Sequence, residues 1–199
     1  MAVSKTWPAS AVREAWYAGQ TAFGENYAQE GAQKAAELAD LGLEWHFIGP
    51  IQSNKTSQIA SNFAWVHGID RRKIAERLSA ARSGKTPLNI CLQVNVSGEA
   101  SKSGVAPKDL PALAADVANL PNLSLRGLMA IPEPGLGKSA QRQAFAQLRQ
   151  LKEELGARGF AMDTLSMGMS DDFEAAVAEG STLVRVGTAI FGKRVTSTP

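Results

Sequence analysis

The sequence predicts an α/β fold, a single (β/α)8 barrel of the TIM type. Eight short runs rich in β-formers alternate with longer stretches, several of which have helical spacing. Several of the runs are almost continuously apolar, which is typical of strands buried on both faces of a parallel sheet. A barrel of this type has eight such strands. A doubly wound sheet stays open as the alternative, because βα alternation does not distinguish the two.

The candidate strands are spaced regularly along the whole chain. They are 2–6 (AVSKT), 22–26 (AFGEN), 44–49 (EWHFIG), 64–69 (AWVHGI), 88–96 (LNICLQVNV), 123–131 (LSLRGLMAI), 163–169 (DTLSMGM) and 183–191 (LVRVGTAIF). No linker or low-complexity stretch interrupts them, so we expect one domain over residues 1–199.

Helices are predicted between the strands from the spacing of leucines and other apolar residues. Residues 107–120 and 140–156 both carry apolar side chains at helical intervals. Asp70 is predicted to cap a helix after the fourth strand, and Ser170 to cap one after the seventh.

Composition excludes several classes of protein. The net charge of +2 is too small to indicate nucleic acid or an anionic membrane as partner. No run of about 18 apolar residues predicts a membrane span, and no signal peptide is recognisable, so we expect a cytoplasmic protein. His46 and His67 lie on different strands and Cys91 is the single cysteine, which argues against a zinc site.

Polar residues are concentrated where the predicted strands end, which is where a barrel of this type carries its chemistry. The residues at these ends are Lys5, Glu25, Asn26, Gln52, Ser53, Asn54, Asp70, Asn95, Ser97, Ser166, Arg185, Gly187 and Thr188. A lysine at the end of a buried strand costs desolvation free energy unless its charge is masked or used. Lys5 is therefore a candidate functional residue.

The last two strands predict a phosphate site. Barrels often bind phosphate with the loops after strands 7 and 8. Ser166 and Thr188 supply hydroxyls there, and Gly187 would let backbone N–H groups approach an anion. In a closed barrel Lys5 on strand 1 would be adjacent. A lysine facing a phosphate cradle suits a phosphorylated aldehyde held as a Schiff base, and pyridoxal 5′-phosphate (PLP) is the common ligand of that kind.

Arg185 is the candidate partner of the pyridine nitrogen of such a cofactor, since it lies two residues before Gly187. An arginine only donates hydrogen bonds, so it would leave that nitrogen unprotonated and the ring a weaker electron sink. Three alternatives stay open. Lys5 could be a surface lysine near the terminus, Arg185 could pair with a core carboxylate, and the site could bind another phosphorylated metabolite.

Seven stretches of the chain resemble the pyridoxal phosphate homeostasis protein family. They are AVSKT (2–6), FGENYAQE (23–30), WHFIGPIQSNK (45–55), VNVSGEASKSG (94–104), LRGLMAIP (125–132), LSMGMSDDFEAA (165–176) and GSTLVRVGTAIFG (180–192). The resemblance implies a single (β/α)8 barrel like the N-terminal domain of alanine racemase. The sequence departs from the family at one point: members usually carry an extra helix and the start of strand 1 before the lysine, whereas here the lysine is residue 5, so either the chain is a shortened form or its start has been trimmed.

The same resemblance implies roles for individual residues. Lys5 is the cofactor lysine, Arg185 faces the pyridine nitrogen, and Asn26 and His46 lie close to the cofactor. The phosphate is held by Ser166, Gly187 and Thr188.

A binding and delivery protein is expected rather than an enzyme. Members of the family bind PLP and affect its cellular balance, without established catalysis. An enzyme of the alanine racemase type needs a second acid/base group, usually a tyrosine from an added domain, and Tyr17 and Tyr27 both lie early in the chain. A PLP-dependent racemase remains the alternative. We expect a monomer, with PLP and apo forms of PLP-dependent enzymes as candidate partners.

Overall fold

Seven parallel strands form one curled sheet in the computed structural model, which describes residues 1–97 and 103–193. The strands follow one another in chain order, each paired with the next. They are β1 (Ala2–Val3), β2 (Ala22–Glu25), β3 (Glu44–Phe47), β4 (Trp65–Ile69), β5 (Leu88–Gln93), β6 (Leu123–Met129) and β7 (Thr164–Ser166). The predicted α/β class and the first seven strands are confirmed, although most strands are shorter than predicted.

Helices connect the strands and pack outside the sheet. They are α1 (Ala9–Tyr17), α2 (Ala28–Glu37), α3 (Thr56–Asn62), α4 (Arg72–Ala81), α5 (Leu110–Ala118), α6 (Lys138–Ala157), α7 (Phe173–Ala178) and α8 (Thr188–Phe191). The predicted helix at 140–156 is α6, and a 3-10 turn at Pro107–Asp109 leads into α5 within the predicted 107–120. Within the described ranges, no helix is both long and apolar enough to span a membrane.

The segment 183–186 lies between the two edge strands of the sheet. Leu183 forms a parallel bridge with Ser166 of β7, and Val186 forms one with Ala2 of β1. The backbone N–H of Val3 donates to the carbonyl of Val186 at 2.8 Å. The predicted eighth strand over 183–191 is wrong in its second half, because residues 188–191 form α8. A short apolar run does not by itself distinguish strand from helix.

Both predicted helix caps are also wrong. The helix after β4 has Arg71 at its N-cap position, and α7 has Asp172 there. Ser170 therefore lies before α7 rather than at its start. Its hydroxyl belongs to the loop that leaves β7, and this loop contains Gly168 at φ +96°. A Cβ at Gly168 would lie 2.6 Å from the Cβ of Ala176, so a larger residue there would displace the loop.

The two faces of the sheet have different surroundings. Alternate strand residues such as Phe23, Ile90 and Leu128 join the main core, in which the helices take part. Strand residues that point to the opposite, inner face include Trp65, Cys91 and Met129, which form a separate small cluster. This inner face also carries His46, His67, Ser166 and Arg185, all buried, so the interior of the curled sheet combines apolar and polar side chains.

Candidate functional site

A cavity of ≈ 260 Å³ opens at the carboxyl end of the sheet. It is lined by Val3, Lys5, Trp7, Asn26, Ile48, Ile131, Met169, Ser170, Asp171, Arg185, Gly187, Thr188 and Gly192. Five predicted site residues are thus brought together here: Lys5, Asn26, Arg185, Gly187 and Thr188. Trp7 stacks on Phe191 of α8, with ring centroids 5.8 Å apart, and so forms one wall.

Lys5 follows β1 in a turn that the cavity borders. Ser4 ends the extended backbone, donating its N–H to the carbonyl of Gly24, and Thr6 has the left-handed φ of 67°. A positive φ is costly for a β-branched residue and persists where the surroundings hold it. Here the N–H of Thr6 donates to a carboxylate oxygen of Glu30.

A buried ion-pair cluster supports this turn from behind. The Lys34 ammonium donates to the carbonyl of Ser4 at 2.7 Å, to Glu25 at 2.8 Å and to Glu30 at 2.6 Å. The Ser4 hydroxyl also donates to Glu25, whose side chain is fully buried. Burial raises the pKa of Glu25, and the hydrogen bonds from Lys34 and Ser4 counteract that effect in part.

Arg185 crosses the bottom of the cavity from the segment 183–186. Its guanidinium donates to the carbonyl of Ser166 at 2.6 Å, to the Ser166 hydroxyl at 2.9 Å and to the carbonyl of Ala130 at 2.9 Å. Among the residues described, no carboxylate contacts it. Burial lowers the pKa of Arg185 to about 10, which leaves the guanidinium charged at neutral pH. The alternative of a core carboxylate partner therefore finds no support in the described contacts.

Ser166 and His46 lie beneath the cavity and do not line it. The Ser166 hydroxyl is 2.9 Å from Nδ1 of His67, whose Nε2 is 3.0 Å from Nδ1 of His46. Nε2 of His46 is in turn 3.0 Å from a carboxylate oxygen of Glu44, at the amino end of β3. Burial lowers the pKa of both histidines. Both are therefore neutral at neutral pH.

Sequence reasoning missed His67 and Ser170 as candidate site residues. His67 carried a signal, a polar residue inside an apolar strand, but its partners come from β3 and β7 and no local pattern shows them. Ser170 was assigned to a helix cap, which concealed its place in the cavity lining. The motif at 94–104 lies partly outside the described residues.

The curled parallel sheet, with a lysine and an arginine at its carboxyl end, defines the class of the alanine racemase N-terminal domain. The model of that domain family, "Alanine racemase, N-terminal domain", matches residues 1–195. Among solved structures, an alanine racemase from Clostridium difficile has a TM-score of 0.71 at 13% identity over 98% of this chain and 52% of the other, a likeness of fold alone.

Much closer relatives narrow the assignment. The pyridoxal phosphate homeostasis protein of Pseudomonas aeruginosa is 67% identical over 98% of this chain and 84% of its own, and that of Escherichia coli K12 is 54% identical over 98% and 85%. PipY of Synechococcus elongatus, solved with PLP bound, has a TM-score of 0.89 at 43% identity, covering 96% of this chain and 91% of that one. The chain therefore belongs to the pyridoxal phosphate homeostasis protein family.

Proposed function

We propose that this chain binds PLP in the Lys5 cavity and takes part in intracellular vitamin B6 homeostasis. The observation that carries the proposal is the convergence of Lys5, Arg185, Gly187 and Thr188 on one cavity. A relative solved with PLP bound and relatives named as homeostasis proteins support it. The cavity volume of ≈ 260 Å³ is slightly below the range usual for small ligands, about 300–1,000 Å³.

The side chains present fit this cofactor. Lys5 would add its neutral amine to the aldehyde carbon, with loss of the carbonyl oxygen as water, and so hold the cofactor as a Schiff base. Arg185 offers N–H donors for the pyridine nitrogen, and Asn26 has a buried amide oxygen that accepts no hydrogen bond within the described part of the chain. When bound, the cofactor supplies an electron sink, which a donating arginine would keep weak.

The phosphate would lie beside Gly187 and Thr188, with Ser170 as a further hydroxyl. Ser166, also predicted as a phosphate ligand, is placed by its contacts below Arg185, so we propose that it acts through that residue. The approach of β1 to the segment 183–186 is close, since a Cβ at Gly187 would lie 3.3 Å from the carbonyl oxygen of Val3. We propose that this segment closes the sheet as the eighth strand of a barrel, and that residues 1–199 form one domain.

Removing the two cavity hydroxyls tests the phosphate site. Thr188→Val with Ser170→Ala should weaken binding of PLP far more than binding of unphosphorylated pyridoxal, because each lost hydrogen bond to a charged group costs about 1.5–3 kcal/mol. Fluorescence or absorbance titration with both ligands measures the difference. Thr86→Val, at an exposed position before β5 that does not line the cavity, is the control. Equal losses for both ligands would place the phosphate elsewhere.

We further propose that the chain holds and delivers the cofactor without catalysing a reaction on it. Tyr17 and Tyr27 do not line the cavity, whose titratable lining groups are Lys5, Asp171 and Arg185. A cytoplasmic location, a monomeric state and delivery to apo PLP-dependent enzymes stay predictions. The alternative is an amino acid racemase, for which Asp171 would be the candidate second acid/base group.

Deuterium exchange separates the carrier from the racemase. Holoprotein incubated with L-alanine in heavy water should show no enzyme-level exchange of the α-proton, because the ring is a poor electron sink and a second base of tyrosine type does not reach the cavity. Proton NMR follows the exchange. Turnover on the order of 1 s⁻¹ that is lost in Asp171→Asn would instead support the racemase.

A further inference from the structure

A line of hydrogen-bonded side chains runs through the interior of the curled sheet, from the cavity to the opposite end. Its members are Arg185, Ser166, His67, His46 and Glu44, and its successive contacts measure 2.9, 2.9, 3.0 and 3.0 Å. Four of the five residues are buried; the Glu44 side chain is about half exposed at the amino end. We call these five residues the axial chain.

The hydrogens of the axial chain can be placed by elimination. The Glu44 carboxylate only accepts, so Nε2 of His46 carries the hydrogen and its Nδ1 accepts. Nε2 of neutral His67 then donates to His46, and its Nδ1 must accept from the Ser166 hydroxyl. Ser166 Oγ is left to accept from Arg185, so every bond points from the cavity toward Glu44.

The direction of these hydrogen bonds determines what Arg185 meets at Ser166. The guanidinium is buried and its partners are a hydroxyl and two carbonyl oxygens, which are neutral acceptors. Because the hydroxyl hydrogen of Ser166 is directed to Nδ1 of His67, the Ser166 oxygen presents lone pairs to the guanidinium. His46, stacked on Trp65 with ring planes 14° apart, fixes the tautomer of His67.

We propose that His67 and His46 are positioning residues that hold Arg185 in the orientation in which it meets the ring nitrogen of the bound cofactor. The inference rests on the proposed function and deepens it. It gives a reason why two histidines are buried in the interior of the sheet, away from the cavity lining. It also assigns Ser166 to the support of Arg185 rather than to direct contact with the cofactor.

The test uses a cofactor analogue that lacks the ring nitrogen, 1-deazapyridoxal 5′-phosphate, beside PLP itself. Wild-type protein should bind PLP more tightly than the analogue. His67→Phe and Ser166→Ala should each weaken PLP binding about tenfold and leave binding of the analogue almost unchanged. His67→Asn, whose amide oxygen can accept from Ser166, should recover most of the loss. Cys91→Ala, buried in the same interior but outside the axial chain, should alter neither affinity.

The outcomes are distinct. Equal weakening for both ligands would mean that the histidines are merely structural, and unchanged PLP affinity in both variants would overturn the inference. Wild-type protein that does not distinguish the two ligands would also overturn it. If His67→Phe does not fold, Ser166→Ala decides by the same comparison. Failure of wild-type protein to form a borohydride-reducible band on Lys5 would refute the proposed function instead.

Discussion

Replacing Lys5 with alanine is expected to abolish the visible absorption band of the holoprotein and the covalent adduct formed with borohydride. Under the proposed function, both signals depend on a bond between the Lys5 amine and the cofactor aldehyde, which alanine cannot form. Non-covalent binding should persist through Arg185, Gly187 and Thr188, at lower affinity. Absorbance spectra before and after reduction, followed by peptide mass spectrometry, measure the band and locate the pyridoxyl group.

Two further variants test whether the band depends on imine formation, on positive charge or on the position of the lysine. Lys5→Arg keeps the positive charge but forms no imine, so it should lose the band while it retains more affinity than Lys5→Ala. Lys55→Ala removes a lysine from the groove beside Asn26 and Tyr27 and should keep the band. A pyridoxyl label on Lys55 or on Lys102, which lies outside the described residues, would contradict the assignment of Lys5.

The fold should survive the change at Lys5. The neighbouring backbone is held by bonds that do not involve the side chain, from Val3 to Val186 at 2.8 Å and from Ser4 to Gly24 at 3.0 Å. Circular dichroism of Lys5→Ala should therefore match that of wild-type protein. A loss of secondary structure would show that Lys5 has a structural role that the band alone does not report.

The sequence predicted the sheet well because its strands are buried apolar runs. Such runs carry a direct signal of burial, as in 88–93 and 123–129, and their order follows from βα alternation. The ends of these runs were less predictable. Residues 188–191 are as apolar as a strand yet form a helical turn, because the chain turns at Gly187 after its bonds to β1.

In the candidate site too, some features could be predicted from the sequence and others could not. Lys5, Arg185, Gly187 and Thr188 could be placed from the sequence because residues at the carboxyl ends of parallel strands meet at one edge. The partners of Ser166 could not be predicted from the sequence. Ser166 is 99 residues from His67 in the chain, and the hydrogen bond between them depends on which face each strand turns inward. A shift of one residue in register would reverse that face.

The second large effect is expected from Lys34, which supports the turn of Lys5. In Lys34→Met the Glu25 carboxylate stays buried without the cation that now lies 2.8 Å away. Removing one partner of a buried ion pair destabilises a protein by about 3–5 kcal/mol, because the remaining charge is uncompensated. Chemical denaturation at neutral pH measures the free energy of unfolding. Arg72→Met, which breaks exposed pairs with Glu76 and Asp116, should remain close to wild type.

The pH dependence identifies Glu25 as the cause. Burial already raises the pKa of Glu25 in the folded protein above its ordinary value of 4.5, and loss of Lys34 should raise it further. Between the unfolded and folded pKa values the folded state binds more protons, so its stability rises as the pH falls through the folded pKa. The deficit of Lys34→Met should therefore shrink in acid, down to about pH 4.5, and Lys34→Met with Glu25→Gln should remove most of it at neutral pH. A deficit that is the same at pH 7 and pH 5, and that persists in the double variant, would assign the loss to packing of the lysine stem rather than to the buried carboxylate.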